Sequence, residues 1–484
     1  MKYNGEQLGT PYQALQGWGE DYAYEDFLNP PHDFSVIWQV RANGTCRIFP
    51  WADAGFVRIA AQSFTLGGAA GFSIEPHWAY FLPDPARRYR DPTGALAEGE
   101  RYLFERDWAW YFYWGRLTYD PTTAAPVLLH PWLKRYGHRA GDAAARTLTY
   151  MSRIVTTLYT AQAYGVDHRD AAPEMEIGIL NKKRDHWRSL DELCDIAPLD
   201  RVRGCSPSEF AAAAASRRQE PRLTPIDFAI ALEHLVTETH AAADELTAML
   251  SEARNAPAAG TLALEARTVA GLGLAGASRL RGLTAFAFYR HTGDPRWLNK
   301  ANVELNRATT RWMAMADTAD KLYLPVQDPL RAGRDYTWRS VRAHHQRLLV
   351  EIHALVERAK KDNANLTGTP ELANVYLRPR AVFGTPEVTV ARKEDEKLRV
   401  SVRFPAGAPR PDSLRVLHKP LDSRMSWSVT GMEQRSGVFG VELRDSPGGL
   451  LLQFQSTDKE QRGWLWPDAK RTLPFIWSEQ ATSF

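Results

Sequence analysis

The sequence has 484 residues, a length that is too great for one ordinary hydrophobic core and that predicts two or three domains. Its hydrophobic fraction of 44% and its charged fraction of 24% are typical of globular proteins. A formal net charge of +3, with no run of basic residues, argues against a nucleic-acid partner. No apolar stretch is long enough for a membrane span, so we expect a soluble protein with no membrane partner.

The first residues, MKYNGEQLGTPYQ, lack the apolar segment of a signal peptide. The cellular location is therefore left open, and a periplasmic or secreted location fits if upstream sequence is missing. The three cysteines, Cys46, Cys194 and Cys205, match no metal-binding spacing. We interpret them as free thiols, with a Cys194–Cys205 disulfide as the alternative, and we predict neither a metal site nor a cofactor.

Aromatic residues are unusually frequent, with 16 Trp, 18 Tyr and 19 Phe. Flat indole faces stack on the C–H faces of sugar rings, although most aromatic side chains in proteins fill cores and interfaces. The composition therefore favours a carbohydrate ligand without establishing one.

Residues 1–99 alternate apolar strands with turns and a helix. MKYNGE predicts a strand ending at Glu6, DFSVIWQVRANG predicts a strand buried on both faces, and GGAAGFSIEP predicts a strand ending at Glu75. Between the last two, FPWADAGFVRIAAQSF has helical spacing, and this alternation is typical of a parallel sheet. We therefore predict the closing part of a (β/α) barrel. Because three strands cannot close a barrel and Met1 opens onto a strand, we expect upstream strands to be missing or supplied by a partner.

Residues 100–365 are predicted to form a large helical domain. Ser206-Pro207-Ser208-Glu209 and Thr224-Pro225-Ile226-Asp227 each combine an N-cap hydroxyl, a proline at the first helical position and a carboxylate at the third. ERDWAWYFYWGRL is predicted to be one aromatic-rich helix.

Residues 370–484 are predicted to form an antiparallel β-sandwich of the immunoglobulin or fibronectin type. LRVSVRF, GVFGVEL and LLQFQ alternate apolar and polar residues, and turns with Pro and Gly separate them. Residues 360–372 are the predicted linker. The predicted fold class is multidomain: an α/β part (the partial barrel), an all-α helical domain and an all-β C-terminal antiparallel β-sandwich.

The candidate site residues lie where the predicted strands end, because barrel enzymes gather their reactive groups at the carboxyl ends of the strands. Glu6 and Glu75 are the candidate catalytic carboxylates, since glycoside hydrolysis needs one proton donor and one base or nucleophile. Arg41 could bind a substrate carboxylate in a fork geometry, and Asn43 and Gln39 could hydrogen-bond hydroxyl groups.

Aromatic residues near the same strand ends are candidates for substrate contacts. Trp18, Trp38 and Trp78 could stack on sugar rings. His77 follows Glu75 directly and is a further candidate for substrate binding. For each of these residues, a role in packing or in a solvated loop remains the alternative.

Roughly residues 1–140 resemble the end of the barrel in the α-glucuronidase group of glycoside hydrolases. The resemblance rests on GGAAGFSIEP and on the motif Trp114-Gly115-Arg116-Leu117-Thr118-Tyr119-Asp120-Pro121. It implies a helical domain after the barrel and a carbohydrate substrate, and it makes Glu6 the nearest match to a water-activating carboxylate. At the family's second such position this sequence has Arg41, Ala42 and Asn43, with no acid. The family's proton-donating Glu lies on an earlier strand, and the β-sandwich lies outside the family pattern.

The sequence therefore predicts a glycoside hydrolase acting on a polysaccharide or oligosaccharide, with uronic-acid-containing polymers implied by the resemblance. One alternative is a non-catalytic carbohydrate-binding or scaffold remnant of such an enzyme. Another is a polysaccharide lyase that would use residues of the helical part; the candidates are Tyr150, Arg153, Tyr159 and His168. Assembly as a homo-oligomer is left open.

Overall fold

The computed structural model describes residues 2–3, 33–35, 37–40, 48–64, 70–74, 90–95, 100, 102–162, 180–181, 186–198, 204–218, 220, 222–327, 335–376, 380–393, 395–420, 425, 427–446, 449–458, 463–467 and 475–477. Along the chain these residues form a small parallel sheet, a large array of helices and a curled antiparallel sheet. The expectation of a multidomain α/β protein is confirmed at this level.

The parallel sheet has three strands in the order β1 (Lys2–Tyr3), β2 (Ile37–Val40) and β3 (Gly71–Ile74). Helix α1 (Ala54–Ser63) connects β2 to β3, as the alternation in the sequence predicts. A closed barrel is not confirmed. The prediction that β2 is buried on both faces is wrong at Ile37, whose side chain is 51% exposed.

The helical region begins after residue 100. Its helices are α2 (Leu103–Arg106), α3 (Trp108–Tyr119), α4 (Ala125–Tyr136), α5 (His138–Ala161), α6 (Leu190–Asp195), α7 (Pro207–Ala215), α8 (Pro225–Ala248), α9 (Ala256–Thr292), α10 (Arg296–Leu322), α11 (Arg342–Lys361) and α12 (Ala373–Tyr376). Short 3-10 turns cover Leu250–Glu252 and Trp338–Val341. Two small hairpins pair β4 (Leu180–Asn181) with β5 (His186–Trp187) and β6 (Val326–Gln327) with β7 (Asp335–Tyr336).

Local sequence signals account for the starts of several helices. The predicted capping boxes are present at α7 and α8, where Ser206 and Thr224 accept from the amides of Glu209 and Asp227. Helix α9 is 37 residues long and almost continuously buried, because glycine and alanine along it allow other helices to approach closely. At Gly276, for example, an added Cβ would collide with the side chain of Leu158.

The carboxyl-terminal strands form one hydrogen-bonded antiparallel sheet. They are β8 (Glu387–Lys393), β9 (Lys397–Arg403), β10 (Leu414–Pro420), β11 (Ser428–Arg435), β12 (Val438–Arg444), β13 (Leu450–Thr457), β14 (Gly463–Trp466) and β15 (Phe475–Trp477). The order is β14-β13-β10-β11-β12-β9-β8, with β15 also paired to β13. The sheet curls so that Val400 of β9 and Phe454 of β13 share one core, and two separate sandwich sheets are not confirmed.

One hydrophobic core joins all three regions of the chain. It runs from Ile48 and Phe49, through helices such as α5 and α9, to Leu451 and Leu465 of the antiparallel sheet. The division into domains at 1–99, 100–365 and 370–484 therefore stays a prediction. None of the helices in the described ranges has the length and apolar character that a membrane crossing requires.

The described cysteines agree with the interpretation of free thiols. Cys194 and Cys205 are both buried and unbridged, so the alternative of a disulfide between them is wrong. Each thiol lies within hydrogen-bonding distance of a backbone carbonyl, that of Leu283 for Cys194 and that of Leu223 for Cys205. Cys46 lies outside the described residues.

Candidate functional site

The carboxyl ends of the three parallel strands lie side by side. Tyr3 pairs with Val40, and Val40 pairs with Ile74, and these are the last residues of β1, β2 and β3. Neighbouring strands in a sheet are about 4.8 Å apart, so the ends of β1 and β3 are about 10 Å apart. The three chain segments that follow therefore leave from one short edge of the sheet, which we call the strand-end edge.

Seven of the nine predicted site residues follow this edge in sequence, and all seven lie outside the described residues: Glu6, Trp18, Arg41, Asn43, Glu75, His77 and Trp78. Trp38 and Gln39 lie on β2, where their backbones pair with Phe72 and Ser73 of β3. The assignment of all nine residues to a site stays a prediction. The strand-end edge itself is defined by the register of the three strands.

The segment before α1 is fastened to helix α5. The indole of Trp51 donates to the carbonyl of Ser152 at 3.2 Å, and the amide of Ala52 donates to the hydroxyl of Ser152 at 2.9 Å. Asp53 caps α1 through a hydrogen bond from the amide of Gly55, and its carboxylate also binds Arg153 at 2.8 Å. These contacts fix the α/β part of the chain to the helical region at the start of α1.

The motif that carries the family resemblance forms a helix end and a turn. Trp114 is 2% exposed and packs against Phe64, with ring centroids 6.2 Å apart. The carboxylate of Asp120 accepts from the amide and the hydroxyl of Thr122, which closes the turn after α3. Arg58 of α1 donates to the carbonyl oxygens of Pro121 and Thr123. The motif therefore has a structural role in the described residues, because it joins α1 to the helices that follow.

A small cavity lies between the segment before α1 and helices α2, α3, α4 and α9. Its lining includes Trp51, Glu100, Arg106, Asp107, Trp108 and Glu265. The cavity volume is only about 30 Å³. The cavity therefore has no room for a sugar ring.

The charged groups at this cavity are paired with one another. Arg106 binds the carboxylate of Glu265 and lies 3.6 Å from Asp107. The hydroxyl of Tyr323 also donates to Glu265, at 2.5 Å. Burial of a charge is unfavourable unless the charge is paired and hydrogen-bonded. These contacts therefore explain how the core can contain ionic groups. We interpret the group as structural.

Glu100 lies at the same cavity and is 5% exposed. Burial raises the pKa of its carboxyl, and the nearby guanidinium groups of Arg106 and Arg135 oppose that effect. Arg135 donates to the Glu100 carboxylate at 3.1 Å. Because these partners meet only in the folded chain, the sequence gives little indication of the ionic group. The one indication is Glu265, an acidic residue within the run of small residues in α9.

Two of the residues considered for a lyase make contacts within the fold. The guanidinium of Arg153 is bound by Asp53, and Tyr159 is 2% exposed. His168 lies outside the described residues. In the described part of the chain, no group of three His, Cys, Asp or Glu side chains is arranged to hold a metal ion.

Comparison with known proteins gives a relationship at the level of the fold. No protein-family model matches the sequence, and no curated protein matches it. Among solved structures, the chain is similar to a GH138 enzyme targeting pectin rhamnogalacturonan II, with a TM-score of 0.57 and 18% sequence identity. The similarity covers 74% of this chain and 52% of that chain, so this chain spans about half the length of that enzyme. The chain thus has the fold of part of a glycoside hydrolase, whereas a specific relationship to the α-glucuronidases stays a prediction.

Proposed function

We propose that this protein is a glycoside hydrolase whose active site lies at the strand-end edge of the parallel sheet. The observation that carries the proposal is the register of Tyr3, Val40 and Ile74, which brings three strand ends to one place. The sequence supplies an acid after the first end, Glu6, and another after the third end, Glu75. A fold shared with part of a glycoside hydrolase supports the same class of activity.

The two carboxylates have complementary roles in this proposal. One donates a proton to the leaving oxygen, and the other activates water or attacks the sugar. In working pairs the carboxyl groups are about 5–10 Å apart. The separation of about 10 Å between the ends of β1 and β3 is compatible with that range.

The remaining predicted residues would bind the substrate. Arg41 would hold a substrate carboxylate through two parallel hydrogen bonds, which a planar guanidinium provides and an ammonium does not. Gln39 and Asn43 would hydrogen-bond hydroxyl groups. The aromatic and imidazole side chains proposed to contact sugar rings are Trp18, Trp38, His77 and Trp78.

We further propose a uronic-acid-containing polysaccharide as the substrate class. The resemblance of residues 1–140 to the α-glucuronidase group points to a uronic acid, and the structurally similar GH138 enzyme targets a pectin. Both suggestions agree with an arginine among the predicted binding residues. The three parallel strands would then belong to the closing part of a (β/α) barrel, followed by the helices and by a sandwich-like β domain.

A variant series tests this function. The purified chain is assayed for sugar release from pectin fragments, polyuronates and neutral polysaccharides, together with Glu6→Gln and Glu75→Gln. We expect activity on the acidic polymers and a loss of about 100-fold or more in kcat for each variant, because proton transfer by a positioned carboxyl contributes about 10²–10⁴-fold. Glu20→Gln is the matched control, since Glu20 belongs to an acidic loop segment that we interpret as solvated.

Two outcomes would overturn parts of the proposal. Full activity in both glutamate variants would show that the site assignment is wrong. Failure of the wild-type chain to release sugar from any polymer, with binding retained, would favour a non-catalytic carbohydrate-binding role. Formation of an unsaturated product absorbing in the ultraviolet would instead indicate a lyase.

A further inference from the structure

The antiparallel sheet carries a group of basic side chains on its exposed face, far in sequence from the strand-end edge. On β8, β9 and β12 the side chains that point inward, such as Val400 and Phe439, are buried in the core of the sheet. Because side chains alternate along a strand, the residues between them point outward. The basic face consists of the outward residues of these three strands and of Glu433 and Arg435 on β11.

Cations outnumber anions on the basic face. Its basic residues are Lys393, Lys397, Arg399, Arg403, Arg435 and Arg444, and its acidic residues are Glu387, Glu433 and Glu442. The six cations exceed the three anions by three positive charges. Asp395 and Glu396, in the turn between β8 and β9, lie at the rim of the face and reduce this excess to one.

The strand register arranges these cations in lines across the sheet. Lys397 of β9 pairs with Lys393 of β8 and with Arg444 of β12, so three cations lie side by side. Six residues further along β9, Arg403 pairs with Val438, and Val438 pairs with Arg435 of β11. At about 3.4 Å per residue, these two lines are about 20 Å apart.

Small residues occupy the strands between the two lines. Thr389, Ser401 and Gly440 lie opposite one another in the register, and the guanidinium of Arg399 lies over Gly440. Arg399 occupies the next line and lies 3.6 Å from Glu442. A rod-like ligand could therefore lie across the face and meet cations at both ends of its path.

Three of these cations form no close ion pair within the described part of the chain. Lys393 donates to Glu442 at 2.8 Å, and Arg435 binds Glu433 at 2.8 Å. Lys397, Arg403 and Arg444, by contrast, form no ion pair with any residue that the structure describes. Glu387 lies opposite Arg403 in the register, and Glu442 is close enough to Lys397 to interact with it electrostatically. These carboxylates offset the positive charges only in part, and a polyanion can displace the mobile ions that balance the remainder.

We infer that the basic face is a binding surface for an acidic polysaccharide that carries a carboxylate on successive sugar units. Arginine pairs with carboxylates through two parallel hydrogen bonds, and lysine adds point charges along the same path. No outward residue of the face is aromatic, which argues against stacking of neutral sugars and against the base stacking of single-stranded nucleic acid on a sheet. The ligand class is that of the proposed function, but binding here does not require the chain to be a hydrolase.

The test compares binding of polygalacturonic acid by the full chain and by a triple variant, Lys397→Gln, Arg403→Gln and Arg444→Gln. Isothermal titration calorimetry at about 0.01 M and about 0.15 M salt measures the affinity and its dependence on charge. We expect a loss of about tenfold in affinity at low salt, since each exposed ion pair contributes about 0.2–1 kcal/mol. The single variant Arg403→Gln, with an expected loss of about twofold to threefold, is a fallback if the triple variant folds poorly.

A matched control removes the same charge elsewhere. Arg347→Gln, Arg358→Gln and Lys361→Gln lie on the exposed side of α11, and this triple variant should bind like the wild type. Methyl-esterified polygalacturonic acid, in which the carboxylates are neutralised, should bind no chain measurably. Duplex DNA should bind more weakly than the acidic polysaccharide.

Three results would overturn the inference. They are equal affinity of the wild type and the basic-face variant, equal binding of the esterified polymer, and binding of DNA at least as tight as that of polygalacturonate. Failure of the inference about the basic face can be distinguished from failure of the proposed function. The basic-face variant should keep full activity on a short oligosaccharide, and Glu6→Gln with Glu75→Gln should keep polymer binding while hydrolysis is lost.

Discussion

The carboxylate of Asp53 binds the guanidinium of Arg153 at 2.8 Å, across 100 residues of sequence. The same carboxylate caps α1 by accepting from the amide of Gly55. One side chain therefore both starts the helix that connects β2 to β3 and fixes it to α5. It also engages Arg153, one of the candidate residues for a lyase.

We expect Asp53→Ala to lower the free energy of unfolding by about 1–2 kcal/mol. An N-cap contributes about 1 kcal/mol, and the pair with the partly exposed Arg153 adds less than about 1 kcal/mol. Asp53→Asn should lose less, because the amide oxygen can still cap the helix. Urea unfolding followed by circular dichroism measures the change. As a control, Asp244→Ala removes an ion pair whose carboxylate is 69% exposed, and it should lower the free energy of unfolding much less. Equal effects of Asp53→Ala and Asp244→Ala would contradict this account.

Two helical glycines should respond in opposite directions to alanine. At Gly141 of α5 an added Cβ would lie 2.6 Å from the carbonyl oxygen of Trp132 and 2.8 Å from the Cα of Leu133, so α4 would have to move. We expect Gly141→Ala to destabilise the fold by about 1–3 kcal/mol. At Gly115 of α3 nothing lies within 4 Å, and Gly115→Ala should stabilise by about 0.5–1 kcal/mol. Thermal unfolding of the two variants measures both shifts, and shifts of the same sign would rule out the close approach of α4 and α5.

The buried Glu100 should make stability depend on pH. Burial raises the pKa of its carboxyl above the ordinary value of 4.5, so the folded chain holds this proton more tightly than the unfolded chain does. Its contribution to stability is complete below the ordinary pKa and is lost as the pH rises through the raised value. Glu100→Gln should therefore become more stable relative to the wild type as the pH increases over that window.

Urea unfolding between about pH 4 and pH 8 measures this difference. Glu357→Gln provides a control of opposite sign, because a hydrogen bond from Lys360 lowers the pKa of the exposed Glu357 carboxyl. That carboxylate stabilises the fold above its ordinary pKa, so Glu357→Gln should become less stable relative to the wild type as the pH rises. A pH-independent difference between Glu100→Gln and the wild type would exclude a perturbed carboxyl at the cavity.

The two buried thiols should be inert in the folded protein. Burial raises the pKa of both Cys194 and Cys205, so little thiolate is present at neutral pH. We expect alkylation of both to be at least about 100-fold slower in buffer than in concentrated urea, because reaction requires opening of the surrounding core. Peptide mass spectrometry after timed alkylation measures each site. Rapid labelling in buffer, or a peptide that joins the two cysteines, would contradict the structure.

Particular residues show how far the sequence alone could lead. Ser206 and Thr224 are correctly predicted as helix caps because a capping box is a local interaction within four residues. The alternation of Leu398, Val400 and Val402 likewise predicts β9 and its buried face. The exposure of Ile37 was not predicted, because the burial of an apolar strand depends on what lies across the sheet from it.

The acids proposed for catalysis show a second limit of prediction from sequence. Glu6 and Glu75 could be selected from the sequence because each follows a strand in a barrel-like pattern. That their strands end next to the end of β2 is a property of the register between Tyr3, Val40 and Ile74. The ionic group of Arg106, Glu265 and Tyr323 carries no comparable local pattern, since its members are separated by at least 58 residues.

The sequence by itself determined the type and order of the elements: parallel strands, then helices, then antiparallel strands. It could do so because hydrophobic periodicity and helix caps act over a few neighbouring residues. Only the tertiary structure decided that one core joins all three regions, that the carboxyl-terminal strands form a single curled sheet, and that basic side chains gather on its outer face. These properties depend on contacts between residues far apart in the chain, and such contacts exist only when folding brings distant segments within a few ångströms of each other.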